Sequence, residues 1–312
     1  MKGNPLVSIL CLVYNHEPYL RQCLDGFVMQ KTNFCFEAIV HDDASTDNSA
    51  AILREYAEKY PNIIKPIYET ENQYRKGTLT AIMDNAVSDS TKYIAICEGD
   101  DYWTDPLKLQ KQVDYLEGHP NCGLVWAKAK CYYQNNGKFK GTKGHYMSGY
   151  YDMFVNYSIP PLTVLYRASS STGYADFIKG QKWLLGDAPL FLYIAHDHDI
   201  HFMDEIVGVY RILKNSASHH TSYEQRIRFK NSTFDVVKFF CEKYGHPNFK
   251  QLESIHYSYM FNYAFNDARY DAAKEFYDLI PYPTLKIRMK RIVTSSRLLR
   301  NCYRYIYNNL MK

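Results

Sequence analysis

No stretch of about 18 consecutive apolar residues occurs anywhere in the 312, so no segment reads as crossing a bilayer. The first apolar run, Leu6–Val13, has no basic segment before it and no small-residue cleavage site after it, which leaves no secretory leader to recognise. Cysteines at CxxC spacing are missing too. The eight cysteines lie scattered at 11, 23, 35, 97, 122, 131, 241 and 302, with Cys11 and Cys97 inside predicted buried strands. That distribution reads as free thiols in a reducing, cytoplasmic compartment, where the sequons at Asn156 and Asn231 are chance matches. A glycine-rich dinucleotide fingerprint and a P-loop are both absent, so hydride transfer and ATP hydrolysis lose their motifs. Acidic residues stop altogether after Pro283, where eight lysines and arginines stand alone. Because the net charge is only +4, the remainder of the chain is mildly acidic. A lone basic stretch on an acidic body argues against nucleic-acid binding.

What is present is an ordinary globular composition, 46% hydrophobic and 22% charged, enough for one large domain or two moderate ones. The 30 tyrosines stand out and serve equally as sugar-stacking surfaces or as core filler. Val7–Val13 is a continuous apolar run, the pattern of a central parallel strand. Pro18 suits the first turn of a helix reaching about Gln30. Strand patterns return at Phe34–Val40, Ile63–Tyr68 and Tyr93–Cys97. Helices are predicted between them over Asn48–Tyr60 and Thr78–Val87, then over Leu107–Leu116, with cap oxygens at Ser45, Thr46 and Asp47. This alternation predicts βαβ units and a doubly wound, mainly parallel sheet.

Beyond residue 121 the pattern loosens. Gly123–Trp126 and Ala129–Tyr133 read as two strands pairing around a polar hairpin. Leu162–Tyr166 is another strand candidate, Ala188–Ala195 a helix, and Phe202–Ile212 the last strand. From Ser222 onward the chain reads helical over Tyr223–Tyr244, Phe249–Phe265, Asp267–Leu279 and Leu285–Leu310. Ala264–Phe276 has the small/aromatic spacing of a single tetratricopeptide-like hairpin, too little for a solenoid.

The strand Tyr93–Cys97 runs straight into Glu98, Asp100 and Asp101, followed by Tyr102 and Trp103. Carboxylates at the carboxyl end of a parallel strand mark the place where open α/β sheets bind ligands. Three unpaired acids repel one another, and a hard divalent cation, Mg2+ or Mn2+, is the simplest compensation. Asp101 is the expected direct ligand, Asp100 a contact to a ribose or an outer water, and Glu98 a support. The bland alternative, capping of the helix opened by Pro106, is already served by Thr104 and Asp105. Asp187 follows Gly186 and precedes an apolar helical run, where the helix dipole would keep a general base ionised. It reads alternatively as a helix cap. His196, His198 and His201 look metal-like by composition, but their spacing fits no closed zinc pattern and a surface loop is expected there.

Four pieces in order resemble the family 2 glycosyltransferases. They are Val7–Asn15, the Asp42-Asp-Ala-Ser-Thr-Asp47 turn, Glu98-Gly-Asp-Asp101, and Gly186-Asp187-Ala-Pro-Leu-Phe191. The resemblance covers roughly residues 5–215. It implies a Rossmann-like mixed, mainly parallel sheet of the GT-A type in residues 1–220, with a helical region and basic tail in 221–312. It also implies a metal-dependent inverting transferase that uses a nucleotide-sugar, a UDP-sugar by expectation, with a glycan or lipid-linked saccharide as acceptor in bacterial polysaccharide assembly. Asp187 would then deprotonate the acceptor hydroxyl. Tyr14, Asn15, Asp42 and Asp43 would hold the nucleotide, Tyr14 stacking on the base and Asp43 accepting an imide or ribose proton, with Asp42 organising the turn.

The chain departs from the family where Ile82–Asn85 lacks the usual Arg-Asn pair. Arg75 and Lys76, or Arg211, are the expected phosphate contacts instead. The loop Asn215–His220 is expected to close over the donor. Leu285–Leu310 interleaves apolar and basic residues and reads either as a helix on an anionic membrane surface, on the inner face of the cell membrane, or as a packed helix with a solvated cationic face. A pyrophosphorylase would want a basic glycine-rich loop after the first strand, and Tyr14–Glu17 offers none. A non-catalytic sugar-nucleotide sensor or scaffold is the remaining rival.

Overall fold

A computed structural model describes residues 3–214 and 222–310. The loop Asn215–His220, including His219 and His220, lies outside the described residues. Contacts divide the chain into two units. One holds residues up to Gln181 together with Gly186–Leu213, and the other holds Lys182–Leu185 and the chain from Lys214 onward.

The first unit is built on alternating strands and helices: β1 (Val7–Val13), α1 (Glu17–Val28), β2 (Phe36–Asp42), α2 (Ser49–Lys59), β3 (Ile64–Tyr68), α3 (Gln73–Lys76), α4 (Leu79–Ala86) and β4 (Tyr93–Ile96). After these come β5 (Tyr102–Trp103), α5 (Lys108–Gly118), β6 (Cys122–Tyr133), β7 (Lys138–Lys143), α6 (Tyr150–Asn156), β8 (Leu165–Arg167), α7 (Tyr174–Phe177), α8 (Asp187–Asp197) and β9 (Asp199–Ile212). The strands form one sheet in the order β3-β2-β1-β4-β8-β6-β9-β5, with β7 paired to β6. The first four strands run parallel, while β8 is antiparallel to both β4 and β6. Val7, Ile9, Cys11 and Val13, on one face of β1, are almost completely buried, and Ser8, Leu10 and Leu12 on the other face are buried or half-buried, as expected of a central strand.

The acids of the first turns hold two helix starts together. Asp47 accepts the Glu17 N–H at 3.0 Å and the Ser49 N–H at 3.0 Å, so one carboxylate caps α1 and α2 at once. Glu17 reciprocates by accepting from the Asn48 N–H and side-chain amide. Trp103 is nearly fully buried, meets the Phe27 ring edge-on at 5.0 Å and donates to the Leu162 carbonyl at 2.7 Å. These contacts seat the acidic turn on α1.

Three expectations change in this first unit. Residues 122–133 form a single strand, because β9 runs parallel beside all of it and absorbs the irregularity around Lys128 in register shifts. The hairpin falls later, between β6 and β7, at Gly137 in the left-handed region. The histidine-rich segment is no loop: it ends α8 and begins β9. There His196 pairs with Asp197, and His201 stacks on Tyr115 at 3.7 Å.

The second unit comprises α9 (Tyr223–Tyr244), α10 (Phe249–Asn266), α11 (Tyr270–Asp278), α12 (Leu285–Thr294) and α13 (Arg297–Leu310). Its core gathers Phe261, Ala264, Phe265, Ala273, Ile280 and Ile287, and the small residues let α10 and α11 approach closely. The expected single terminal helix breaks at Ser295, because the Arg300 guanidinium donates to the Thr294 carbonyl and ends α12 there.

Candidate active site

The acidic turn crosses the end of β1. Gly99 donates to the Leu12 carbonyl at 3.0 Å, and a Cβ at this position would stand 2.8 Å from His16 Nδ1 and 3.2 Å from the Leu12 carbonyl oxygen. Only glycine fits that approach. It turns Glu98, Asp100 and Asp101 together, with Glu98 within electrostatic reach of Asp187, the first residue of α8.

Arg211, on β9, holds the turn. Its backbone N–H donates to Asp101 Oδ1 at 2.7 Å, and its Nε donates to the Asp100 carbonyl at 2.7 Å. The rest of the guanidinium is bonded to Gln134 and Gln22 and lies over the rings of Tyr19, Tyr102 and Tyr132. Three of the five guanidinium N–H donors are thus engaged by protein, and Arg211 braces the turn from within. Three buried thiols support the turn from behind. Cys23 lies 4.0 Å from Cys11, and Cys23 and Cys97 both donate to the Glu98 carbonyl, at 3.5 and 3.7 Å.

The carboxylates have no such comfort. Burial, then repulsion from Asp100 and Glu98, holds the Asp101 carboxyl well above the ordinary carboxylate range, and the Arg211 N–H only partly opposes this. Burial, with Asp100 and Asp187 adding repulsion, pushes Glu98 up to about 8, although its side chain still opens on solvent, which tempers the shift and leaves the group reachable. Asp187 is raised as well. Burial outweighs the opposing first-turn N–H groups and the Lys143 ammonium. Among the described residues no three His, Cys, Asp or Glu side chains converge as a metal-ligand set, so the expected trio is not preassembled. The donor set still suits a hard cation that takes one or two carboxylates and completes its shell from phosphate oxygens and water. Asp101 has one oxygen outside its bond to Arg211, and no hydrogen bond reaches the Asp100 carboxylate from the described residues.

The other expected residues sort differently from their sequence reading. Asp43 spends both carboxylate oxygens on the Gln73 and Tyr74 N–H groups, at 2.5 and 3.1 Å, and so anchors α3. Asp42 is buried, raised by that burial, and keeps Oδ1 without a hydrogen-bond partner. Asp43 thus fixes α3, while Asp42 keeps one oxygen without a partner. Asn15 adopts a left-handed φ of 56° and accepts from the Thr46 N–H at 2.8 Å, while Tyr14 beside it is 41% exposed. Arg75 and Lys76 are exposed on α3, Lys76 is paired with Glu71, and neither acts on the charge of the acidic turn.

Sequence reasoning missed Lys143. Its ammonium lies 3.6 Å from the centre of the Tyr210 ring, donates no hydrogen bond to the described residues, and acts on both Asp101 and Asp187. It also missed Tyr157 and Tyr174, both beside Asp187 and both raised by burial first and that acid second. Nothing in the local pattern marks them. They arrive through the β6–β7 hairpin and the connections around β8.

A sheet that gathers carboxylates at its strand ends opposite a helix-borne acid is the layout of a sugar transferase. The profile of the glycosyl transferase family 2 matches residues 8–174, more than half the chain, and the protein belongs to that family. The Mycobacterium tuberculosis protein Rv1520 is 43% identical over 132 residues, 42% of this chain and 37% of that relative. The chain thus matches well under half the length of this curated relative. Among solved structures, S. aureus TarS 1–349 in complex with UDP-GlcNAc superposes with a TM-score of 0.60 at 17% identity, covering 96% of this chain and 91% of TarS. The mannosyltransferase PcManGT from Pyrobaculum calidifontis, in complex with GDP-Man and Mn2+, gives a TM-score of 0.53 at 16% identity, covering 96% and 87%. At these identities the likeness is one of fold, and it is the GT-A type of glycosyltransferase fold that is shared.

Proposed function

We propose that the chain moves a sugar from a nucleotide-sugar, a UDP-sugar in the first instance, to a hydroxyl of a glycan or lipid-linked saccharide, with inversion and with a divalent cation. One observation carries this reading. Asp100 repels both Glu98 and Asp101, Asp187 adds to the repulsion on Glu98, and no side-chain cation lies within ion-pair distance of these acids among the described residues. Such a site is completed by what binds it. Asp101 and Asp100 would hold Mg2+ or Mn2+, which when bound supplies positive charge against the leaving diphosphate. Lys143 offers the diphosphate a further cation, taking the role expected of Arg75, Lys76 or Arg211. Asp42, with its spare oxygen, is a better acceptor for a base or ribose proton than Asp43, and Tyr14 supplies an exposed ring for stacking.

Asp187 then takes the proton of the acceptor hydroxyl as that oxygen bonds to the anomeric carbon and the carbon–phosphate-oxygen bond breaks. Displacement from the face opposite the diphosphate inverts the centre. Tyr157 and Tyr174 flank Asp187 where an acceptor sugar ring would lie. The setting is the cytoplasm, where nucleotide-sugars serve bacterial surface-polysaccharide assembly.

Release of UDP or GDP from a panel of nucleotide-sugars, with Mn2+, Mg2+ or chelator, tests the reading together with calorimetry of UDP binding. Metal-enhanced binding and turnover, both lost in the double substitution Asp100→Ala and Asp101→Ala, is the expected result. If Mn2+ leaves UDP and GDP uptake unchanged and the double variant turns over normally, the proposal is wrong.

A further inference from the structure

Helix α12 is apolar on two opposite sides. Ile287 and Thr294 are 5% and 0% exposed and face the core of the helical unit. Leu285, Met289 and Ile292 are 74%, 61% and 62% exposed. Spaced i, i+4 and i+7, they form one stripe, and at about 100° per residue that stripe lies opposite Ile287. The unit's own core accounts for the first face and leaves the second without a protein partner among the described residues.

The cations divide in the same way. Lys290 donates to Asn262 and Arg291 lies over the Tyr277 ring, both within the bundle. Lys286 and Arg288 are exposed and flank the outward stripe on either side. Just past the break in the chain, Leu298 is exposed by 72%. No acidic residue follows Pro283, and neither Lys286 nor Arg288 forms an ion pair among the described residues. An apolar stripe between two cations with flexible apolar stems matches a lipid surface, where acyl chains take the stripe and phosphates take the charges. A second copy laid on the same stripe would set Lys286 and Arg288 against their like, which speaks against self-association as its occupant.

We propose that α12 docks the protein on a membrane rich in anionic lipid, with Leu285, Met289 and Ile292 entering the boundary between headgroups and acyl chains and Lys286 and Arg288 meeting lipid phosphates. This docking is separate from the transfer chemistry and does not depend on the donor assignment.

Point substitutions on the exposed stripe test it better than truncation, because removing the helix would also take Ile287 out of the core. The full chain is floated with vesicles of phosphatidylcholine alone and with vesicles of equal parts phosphatidylcholine and phosphatidylglycerol. Partition onto the anionic vesicles only is expected. It should fall at least about tenfold in the triple variant Leu285→Ser, Met289→Ser, Ile292→Ser. Each of Lys286→Gln and Arg288→Gln should lower it about fivefold, with a loss at high salt. Unchanged thermal midpoints show that the variants stay folded, and unchanged UDP release in detergent-free solution shows that the catalytic unit is intact. Failure of the wild-type chain to bind anionic vesicles overturns the proposal, as does full binding by the triple variant. Concentration-dependent dimers in sedimentation that vanish in the triple variant, without vesicle binding, would assign the stripe to a second copy instead.

Discussion

Two acidic turns flank β1 at its carboxyl end, and they treat their carboxylates in opposite ways. The turn after β2 spends them on backbone N–H groups. Asp47 caps two helices and Asp43 anchors a third, and the bonds to Ser49 and Glu17 hold Asp47 below the ordinary carboxylate range despite its burial. The turn after β4 leaves its carboxylates repelling one another, with Glu98 and Asp101 displaced upward and Asp187 adding to the repulsion on Glu98. Acids matched to N–H donors fix a scaffold, while acids matched only to each other store a demand for an outside cation.

Asp187→Asn tests the second turn's purpose most severely. Transfer should fall at least about a hundredfold while UDP affinity stays within about twofold, measured by product release and calorimetry. Arg211→Ala should come next. It strips three side-chain hydrogen bonds and the filling between three tyrosine rings, and denaturant titration should show a loss of about 3 kcal/mol or more. Asp47→Ala should cost about 1–2 kcal/mol, since two helix starts lose one cap. Its pH dependence sharpens the contrast. A carboxyl lowered by folding contributes fully above its ordinary value of 3.8 and loses that contribution as pH falls through the lowered one, so the variant's stability should change less with acid than the parent's. The smallest effect on stability should come from Asp101→Asn. Turnover falls, yet the denaturant midpoint rises, reflecting on the order of 1 kcal/mol of added stability, because a repelling charge leaves while the Arg211 N–H keeps an acceptor. A lower midpoint would break the comparison.

The parallel half of the sheet was legible because each strand is a short apolar run bounded by turn residues. Val7–Val13 and Tyr223–Tyr244 emerge with the bounds read from sequence. Residues 122–133 were not, because Lys128 in mid-strand reads as a turn, and only the long parallel partner β9 makes it extended. The acidic cluster and Asp187 could be read as strand-end and helix-start acids. The bonds from Asp43 to the start of α3 could not, since they depend on α3 folding back to offer its N–H groups. Lys143 was hidden for a related reason, as its place follows from the displaced hairpin.

The thiols beneath the Glu98 carbonyl make the acidic turn observable. Cys11, Cys23 and Cys97 are sealed from solvent, and burial lifts Cys97 to about 11, so an alkylating reagent reaches them only when the turn lifts away. Their labelling rate is a clock for that opening, and whatever fills the cleft should slow it.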